Sequence, residues 1–196
     1  MKIKKWTIAI IFLIFMLSTI SLATNINILA IEPIGFANKL YSGYYSKIAI
    51  SKNYVLTFPL LYQEKENLNI LETGVKYRNY LSHNHEGLYL ETNGYFKLED
   101  VPGPDDTLTI TPGIVVGYRI DTQQGLYIEP EGHFVYPIYS NADGIHFSEA
   151  FESDFRVTIG LDNLWPNGFF LAPRVIFSYA NDTLKTNGCL YIGFGF

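Results

Sequence analysis

The chain has 196 residues, a net charge of −5 and one cysteine, Cys189. Its acidic character argues against nucleic-acid binding, and a single cysteine excludes a small scaffold held by internal disulfides. Aromatic residues make up 16% of the chain, and the length suits one domain.

The first 23 residues have the layout of a secretory signal peptide. Three lysines precede an apolar run that begins at Trp6, and Ser21 and Ala23 have the spacing of a cleavage site. No cysteine follows this run, which argues against a lipoprotein, and an uncleaved membrane anchor is the alternative. We therefore assign 1–23 to a cleaved signal peptide and 24–196 to one mature domain. Without the three lysines, this domain has 11 basic and 19 acidic residues and a net charge of −8.

From Asn25 onward, apolar and polar residues alternate with a period of two between clusters of turn residues. In "TLTITPGIVVGYRI", for example, Leu108 and Ile114 fall on one face of an extended segment, while Thr109 and Arg119 fall on the other. The pattern predicts ten strands, at about residues 28–36, 40–50, 54–64, 69–81, 87–99, 107–120, 125–139, 154–163, 168–180 and 188–196. Most are long enough to cross a bilayer when tilted, whereas strands of soluble proteins usually have about five or six residues.

The connections between these strands alternate in length. Short ones are predicted at 51–53, 82–86, 121–124 and 164–167, and mostly longer, more polar ones at 65–68, 100–106, 141–153 and 181–187. Transmembrane barrels have short periplasmic turns and longer outer loops. We therefore predict an all-β, antiparallel, up-and-down transmembrane β-barrel of ten strands, with eight strands as the alternative. A soluble β-sandwich alternates in the same way and stays open.

The last residues, "GCLYIGFGF", place Leu190, Ile192, Phe194 and Phe196 on one strand face. With the signal peptide and the alternating strands, this ending resembles small outer-membrane barrels of the OmpA membrane-domain and OmpX type. The hairpins "GVKYRNYLSHNHEGLYLETNGYF" and "GYRIDTQQGLYIEPEGHF" carry the same resemblance. In that family the barrel-assembly machinery reads the final strand, which implies an assembly signal at Tyr191, Ile192, Phe194 and Phe196.

Placing the polar strand faces inward predicts a charged interior with equal numbers of cations and anions. The cations are Lys47, Lys76, Arg78, Lys97, Arg119, Arg156 and Arg174, and the anions are Glu32, Glu72, Glu91, Glu129, Glu131, Asp154 and Asp162. The interior of a small barrel is just wide enough for side chains, and an unpaired buried charge costs several kcal/mol. We expect these groups to pair and to plug the barrel, and a narrow gated pore for small solutes is the alternative.

The predicted outer connection "NADGIHFSEAFESD" contains acids, His146 and Ser148, which together suit acyl transfer. Lipid A deacylases and omptin proteases, which such a barrel resembles in architecture, act at this rim. The motif spacing of neither enzyme family is present, and any polar loop of this length contains acids, histidine or serine by chance. We therefore expect no catalytic site, metal site or cofactor.

We predict instead that this connection binds a partner through Ile145, His146, Phe147 and Phe151, because exposed apolar groups rimmed by charge mark contact sites. The alternative is that the aromatic side chains fold back onto the barrel rim. The composition also resembles small spirochaetal surface barrels, some of which bind host complement regulators. The expected partners are outer-membrane lipids, the assembly machinery and a host or serum protein. The expected state is a monomer in the bacterial outer membrane.

Overall fold

The structure is a computed structural model. It describes residues 25–49, 53–65, 68–82, 85–100, 107–122, 125–141, 143–148, 151–161, 168–180 and 182–196. The signal peptide predicted for 1–23 lies outside the described residues. No helix within the described ranges is long and apolar enough to cross a membrane.

The described residues form twelve β-strands and one short 3₁₀ helix. The strands are β1 (Asn25–Glu32), β2 (Leu40–Ala49), β3 (Tyr54–Lys65), β4 (Leu68–Tyr80), β5 (Gly87–Asp100), β6 (Thr107–Asp121), β7 (Leu126–Val135), β8 (Ile138–Asn141), β9 (Gly144–Phe147), β10 (Glu152–Leu161), β11 (Gly168–Ala180) and β12 (Thr183–Gly195). The 3₁₀ helix, Ile34–Asn38, lies between β1 and β2.

Ten of the strands close into one antiparallel barrel. Each pairs with its neighbour in chain order, apart from β8 and β9, and β1 pairs with β12 to complete the ring. At this seam, Ile28 lies opposite Gly195 and Ile31 opposite Ile192. The predicted all-β, up-and-down barrel of ten strands is thus confirmed, and the eight-strand alternative is wrong.

The connections lie at two ends of the barrel. We call "turn end" the end at which strands β2, β4, β6 and β10 stop, at Ala49, Tyr80, Asp121 and Leu161, and "loop end" the opposite end. Asn27 and Phe196 lie at the turn end, where their backbone groups exchange hydrogen bonds of 2.9 and 3.0 Å. The first strand ends at Glu32, earlier than predicted, because Pro33 has no backbone donor and the 3₁₀ helix follows it.

The connection predicted at 181–187 is wrong. β11 and β12 continue to a two-residue turn, in which Ala180 pairs with Thr183 and Asp182 adopts a φ of 58°. Aspartate tolerates this left-handed conformation better than most residues, and threonine favours strands. The final strand therefore begins at Thr183 instead of residue 188.

The connection predicted at 141–153 is also partly strand. β8 and β9 form a hairpin, in which Ile138 pairs with Phe147. β8 pairs with the loop-end part of β6, where Ile110 lies opposite Ile138 and Leu108 opposite Ser140. The long strand β6 is thus covered by β7 towards the turn end and by this outer hairpin, Ile138–Phe147, towards the loop end.

Candidate functional site: the charged barrel interior

The barrel has an apolar outer face and a charged interior. On the outer face, Ile114, Phe134 and Phe169 are 50%, 51% and 80% exposed, whereas the inward Glu91 and Glu129 are 2% and 6% exposed. A soluble protein has the opposite arrangement, since its charged side chains are almost never fully buried. The alternation seen in the sequence therefore places apolar residues outside a closed barrel, which is not the arrangement of a soluble sandwich.

Arg78, on β4, is the centre of the interior. Its guanidinium donates to Glu91 on β5 at 2.9 Å, to Glu129 on β7 at 2.7 Å and to Glu131 on β7 at 3.0 Å. The Arg78 guanidinium carbon also lies 4.0 Å from the centre of the Tyr89 ring. Arg78 and Glu91 are direct cross-strand partners, while the two β7 carboxylates reach Arg78 across the lumen side of β6. One cation thus holds three carboxylates from two other strands.

Further donors lie close to the same three carboxylates. Lys76 contacts Glu91 at 3.4 Å, and Arg119 contacts Glu129 at 3.5 Å. The Tyr89 hydroxyl lies 3.0 Å from Glu129 and donates to Glu131 at 2.6 Å. Each glutamate therefore contacts at least two donor side chains, which offsets the cost of burying it. We call the set Lys76, Arg78, Glu91, Arg119, Glu129 and Glu131 the ionic cluster.

Two of the other predicted lumen cations, Arg156 and Arg174, lie apart from the ionic cluster. Arg156, on β10, pairs with Asp154 at 2.7 Å. Arg174, on β11, lies among three aromatic rings, with its guanidinium carbon 5.7, 5.9 and 5.1 Å from the ring centres of Tyr44, Tyr127 and Tyr191. It also donates to the Tyr44 hydroxyl at 3.3 Å. The predicted network is therefore an ionic cluster on β4–β7 and two separate sites.

One predicted inward charge is placed wrongly. Lys47 lies between Ser46 and Ile48, which both line the interior, so its side chain belongs to the outward face. Its register partner Leu56 is on that face as well. Asp162 lies outside the described residues.

The structure adds interior groups that sequence reasoning missed. Asp121 pairs with Arg119 at 2.9 Å, and Glu99 pairs with Lys97 at 2.7 Å. His133 lies 3.1 Å from Glu131. Two further interior groups, Tyr89 and Tyr127, could have been found from a sequence repeat. The segments "GLYLE" and "GLYIE" each place a tyrosine and a glutamate on the inward face. In both hairpins an arginine covers that tyrosine, at 4.0 Å for Tyr89 and 4.1 Å for Tyr127.

The interior is not filled completely. A cavity of about 640 Å³ lies between the ionic cluster and the strands on the opposite side of the barrel. Its lining includes His85, Asp121 and Gly125, so it reaches the turn end. The predicted ionic plug therefore occupies one side of the lumen only.

The structure separates the four candidate binding residues of the outer hairpin. Ile145 and Phe147 are 68% and 65% exposed and continue the outward face of Leu108 and Ile110. His146 lies on the opposite face of the hairpin. Phe151 follows the hairpin, and its ring lies 5.1 Å from that of Tyr136. The four residues do not form a single patch.

The four residues of the predicted assembly signal lie on both faces of β12. Tyr191 lines the interior cavity. Ile192, Phe194 and Phe196 alternate with it and belong to the outward face, where the Phe194 ring lies 5.1 Å from Phe169 and 6.3 Å from Phe196. Their role in assembly stays a prediction.

Comparisons with known proteins show no family. No family model matches the chain, and no curated protein matches it. A solved structure described as "Bacterial polysaccharide outer membrane secretin" has a TM-score of 0.38 and 10% sequence identity, covering 89% of this chain. The chain spans 65% of the length of that structure. Nothing in these comparisons points to the OmpA or OmpX type in particular.

Replacing Arg78 with glutamine tests the centre of the ionic cluster. Arg78→Gln leaves three buried carboxylates without their shared cation, and we expect it to lower the free energy of unfolding by about 3–5 kcal/mol. The measurement is urea unfolding of the barrel refolded into lipid vesicles. Arg156→Gln is the control, because the Arg156 side chain is 41% exposed and its ion pair contributes about 0–1 kcal/mol. Equal losses in the two variants would contradict a central role for Arg78.

Proposed function

We propose that the chain is an integral β-barrel protein of the bacterial outer membrane, with a structural role and an exposed outer hairpin. The observation that carries this proposal is the reversed polarity of the barrel. Outward side chains such as Ile114, Phe134 and Leu171, 50%, 51% and 58% exposed, are matched to hydrocarbon and not to water. Closing the barrel pairs the backbone groups of every wall strand, which a bilayer requires because it offers no hydrogen bonds.

Aromatic side chains at both ends of the barrel support the same placement. At the loop end, the Phe36 and Tyr41 rings lie 5.3 Å apart, and the Tyr41 and Tyr62 rings 6.1 Å apart. At the turn end, Phe169 and Phe194 form a second contact of 5.1 Å. Membrane barrels have such aromatic girdles at both interfaces with water. With short turns on the periplasmic side, the outer hairpin lies outside the cell.

A charged residue on the outward face tests the membrane placement. Ile114 is central in β6, so Ile114→Lys would put an ammonium near the middle of the bilayer, at an expected cost of about 2–4 kcal/mol. The same substitution at a water-exposed site of a soluble protein changes the free energy of unfolding by no more than about 0.5 kcal/mol. The measurement is urea unfolding in lipid vesicles.

The matched control for this experiment is Leu184→Lys. Leu184 is 66% exposed and lies next to the β11–β12 turn, away from the centre of the barrel wall. We expect it to change the unfolding free energy little. If Ile114→Lys is tolerated as well as Leu184→Lys, the outer face does not contact hydrocarbon.

We propose that the ionic cluster narrows the lumen and limits bulk flow. Contacts of 2.7–3.0 Å between Arg78 and two β7 glutamates cross the interior, and displacing them would expose buried charges. We therefore expect little or no stable conductance from the purified barrel in planar lipid bilayers. Large, long-lived current steps from the wild-type protein would favour the alternative function, a narrow gated pore.

A binding role for the outer hairpin is the second candidate function. The observation that supports this role is the exposure of Ile145, Phe147 and Phe151, at 68%, 65% and 73%. A host or serum protein is the proposed partner. No catalytic step belongs to this proposal.

Serine substitutions test the hairpin. We expect Ile145→Ser with Phe147→Ser to reduce serum-protein capture by whole cells severalfold while the barrel still reaches the surface, since apolar anchors carry most contact energy. Surface level is measured by antibody against an epitope inserted after Asp182, at the β11–β12 turn. His146→Ser, on the opposite hairpin face, is the control. Unchanged capture by the double variant would show that Ile145 and Phe147 contribute only to the barrel wall.

A further inference from the structure

The cavity inside the barrel has two chemically different walls. The ionic cluster forms one wall, on β4–β7. The other wall, on β1, β2, β3 and β11, is mostly apolar: Ser46 and Thr57 lie among Ile26, Ile28, Ile48, Val55, Pro59 and Ile176. The volume of about 640 Å³ lies within the range of small-molecule sites, roughly 300–1,000 Å³.

Arg174 lies beside the apolar wall. Tyr44 and Tyr191 pack against the buried cluster that contains Ile28 and Ala30, and the same two rings flank the Arg174 guanidinium, at 5.7 and 5.1 Å. An apolar surface therefore leads directly to a cation. A guanidinium has five donors, so donation to the Tyr44 hydroxyl is compatible with binding an incoming carboxylate.

Most of the apolar wall lies nearer to the turn end than Arg174 does, although Ile176 lies two residues beyond it. Ile26, Ile48 and Val55 are register neighbours within a few residues of the turn end. Arg174 is six residues into β11, which starts at the turn end, or about 20 Å along the strand. A ligand entering from the turn end would therefore reach Arg174 with one end while its body stays on the isoleucines.

We propose that this cavity binds a single-chain amphipathic carboxylate of the fatty-acid class. The carboxylate accepts hydrogen bonds from Arg174, a pairing that the planar guanidinium favours. The chain lies along Ile28 and Ile48, where burying each CH₂ group favours binding. The glutamates of the opposite wall do not repel the anion strongly, since each contacts cations of the ionic cluster within 3.5 Å.

Radiolabelled laurate binding to the full barrel in nanodiscs tests this proposal, with empty nanodiscs as background. We expect saturable binding to one site in the wild type, and an affinity at least tenfold lower in Arg174→Gln, which is about 1.4 kcal/mol. Dodecanol, which has the same chain without the charge, should bind more weakly than laurate to the wild type and equally to both proteins. Lys97, which pairs with Glu99 at 2.7 Å, is not among the described residues that line the cavity, so Lys97→Gln should bind laurate like the wild type.

Laurate binding that does not saturate, or that equals dodecanol binding in the wild type, would overturn the proposal even if Arg174→Gln fails to fold. So would an unchanged laurate affinity in folded Arg174→Gln. Folding of each variant is checked by its heat-dependent mobility on gels. Because nanodisc insertion is checked separately, a barrel that inserts without binding laurate contradicts this inference and leaves the membrane placement intact.

Discussion

The buried guanidinium of Arg78 is the contact on which the interior depends. Three carboxylates within 3.0 Å of one cation are stable only if every member of the group is present, because each would otherwise be a buried, uncompensated charge. Glu91 lies on the neighbouring strand, but Glu129 and Glu131 lie two strands further along the ring. The contacts therefore fix how strongly the wall curves between β4 and β7, in addition to the backbone pairing of those strands.

The alternation of side chains along each strand, with a period of two, links this interior to the outer face. Each strand that places a charge in the lumen places its next side chain on the outside, so Arg119 lies between Tyr118 and Ile120, 50% and 49% exposed. Interior chemistry and lipid contact thus come from one alternating pattern. Lys47 breaks this pattern on the outer face near the turn end, where a long side chain can extend its charge towards water.

Strand number, barrel closure and the inward position of the ionic cluster could be predicted because hydrocarbon and lumen impose opposite polarities on alternate residues. The signal disappears where water covers both faces. Residues 183–188 of β12 are exposed on either side of the strand, so their sequence predicts a loop. The outer hairpin was not predicted for the same reason. Tyr89 and Tyr127 were not predicted as partners of arginines, since tyrosine suits the interior, the interface and the lipid face equally.

The uneven distribution of charge around the lumen follows from barrel size. Eight strands leave an interior that side chains fill, and ten strands leave more room than the ionic cluster occupies. The surplus space could be closed by larger side chains, but Ser46 and Thr57 line the cavity instead. Because the ionic cluster is held entirely by β4–β7, a molecule on the apolar wall can enter and leave without breaking an ion pair. Rigidity and an accessible cavity are therefore compatible in one small barrel.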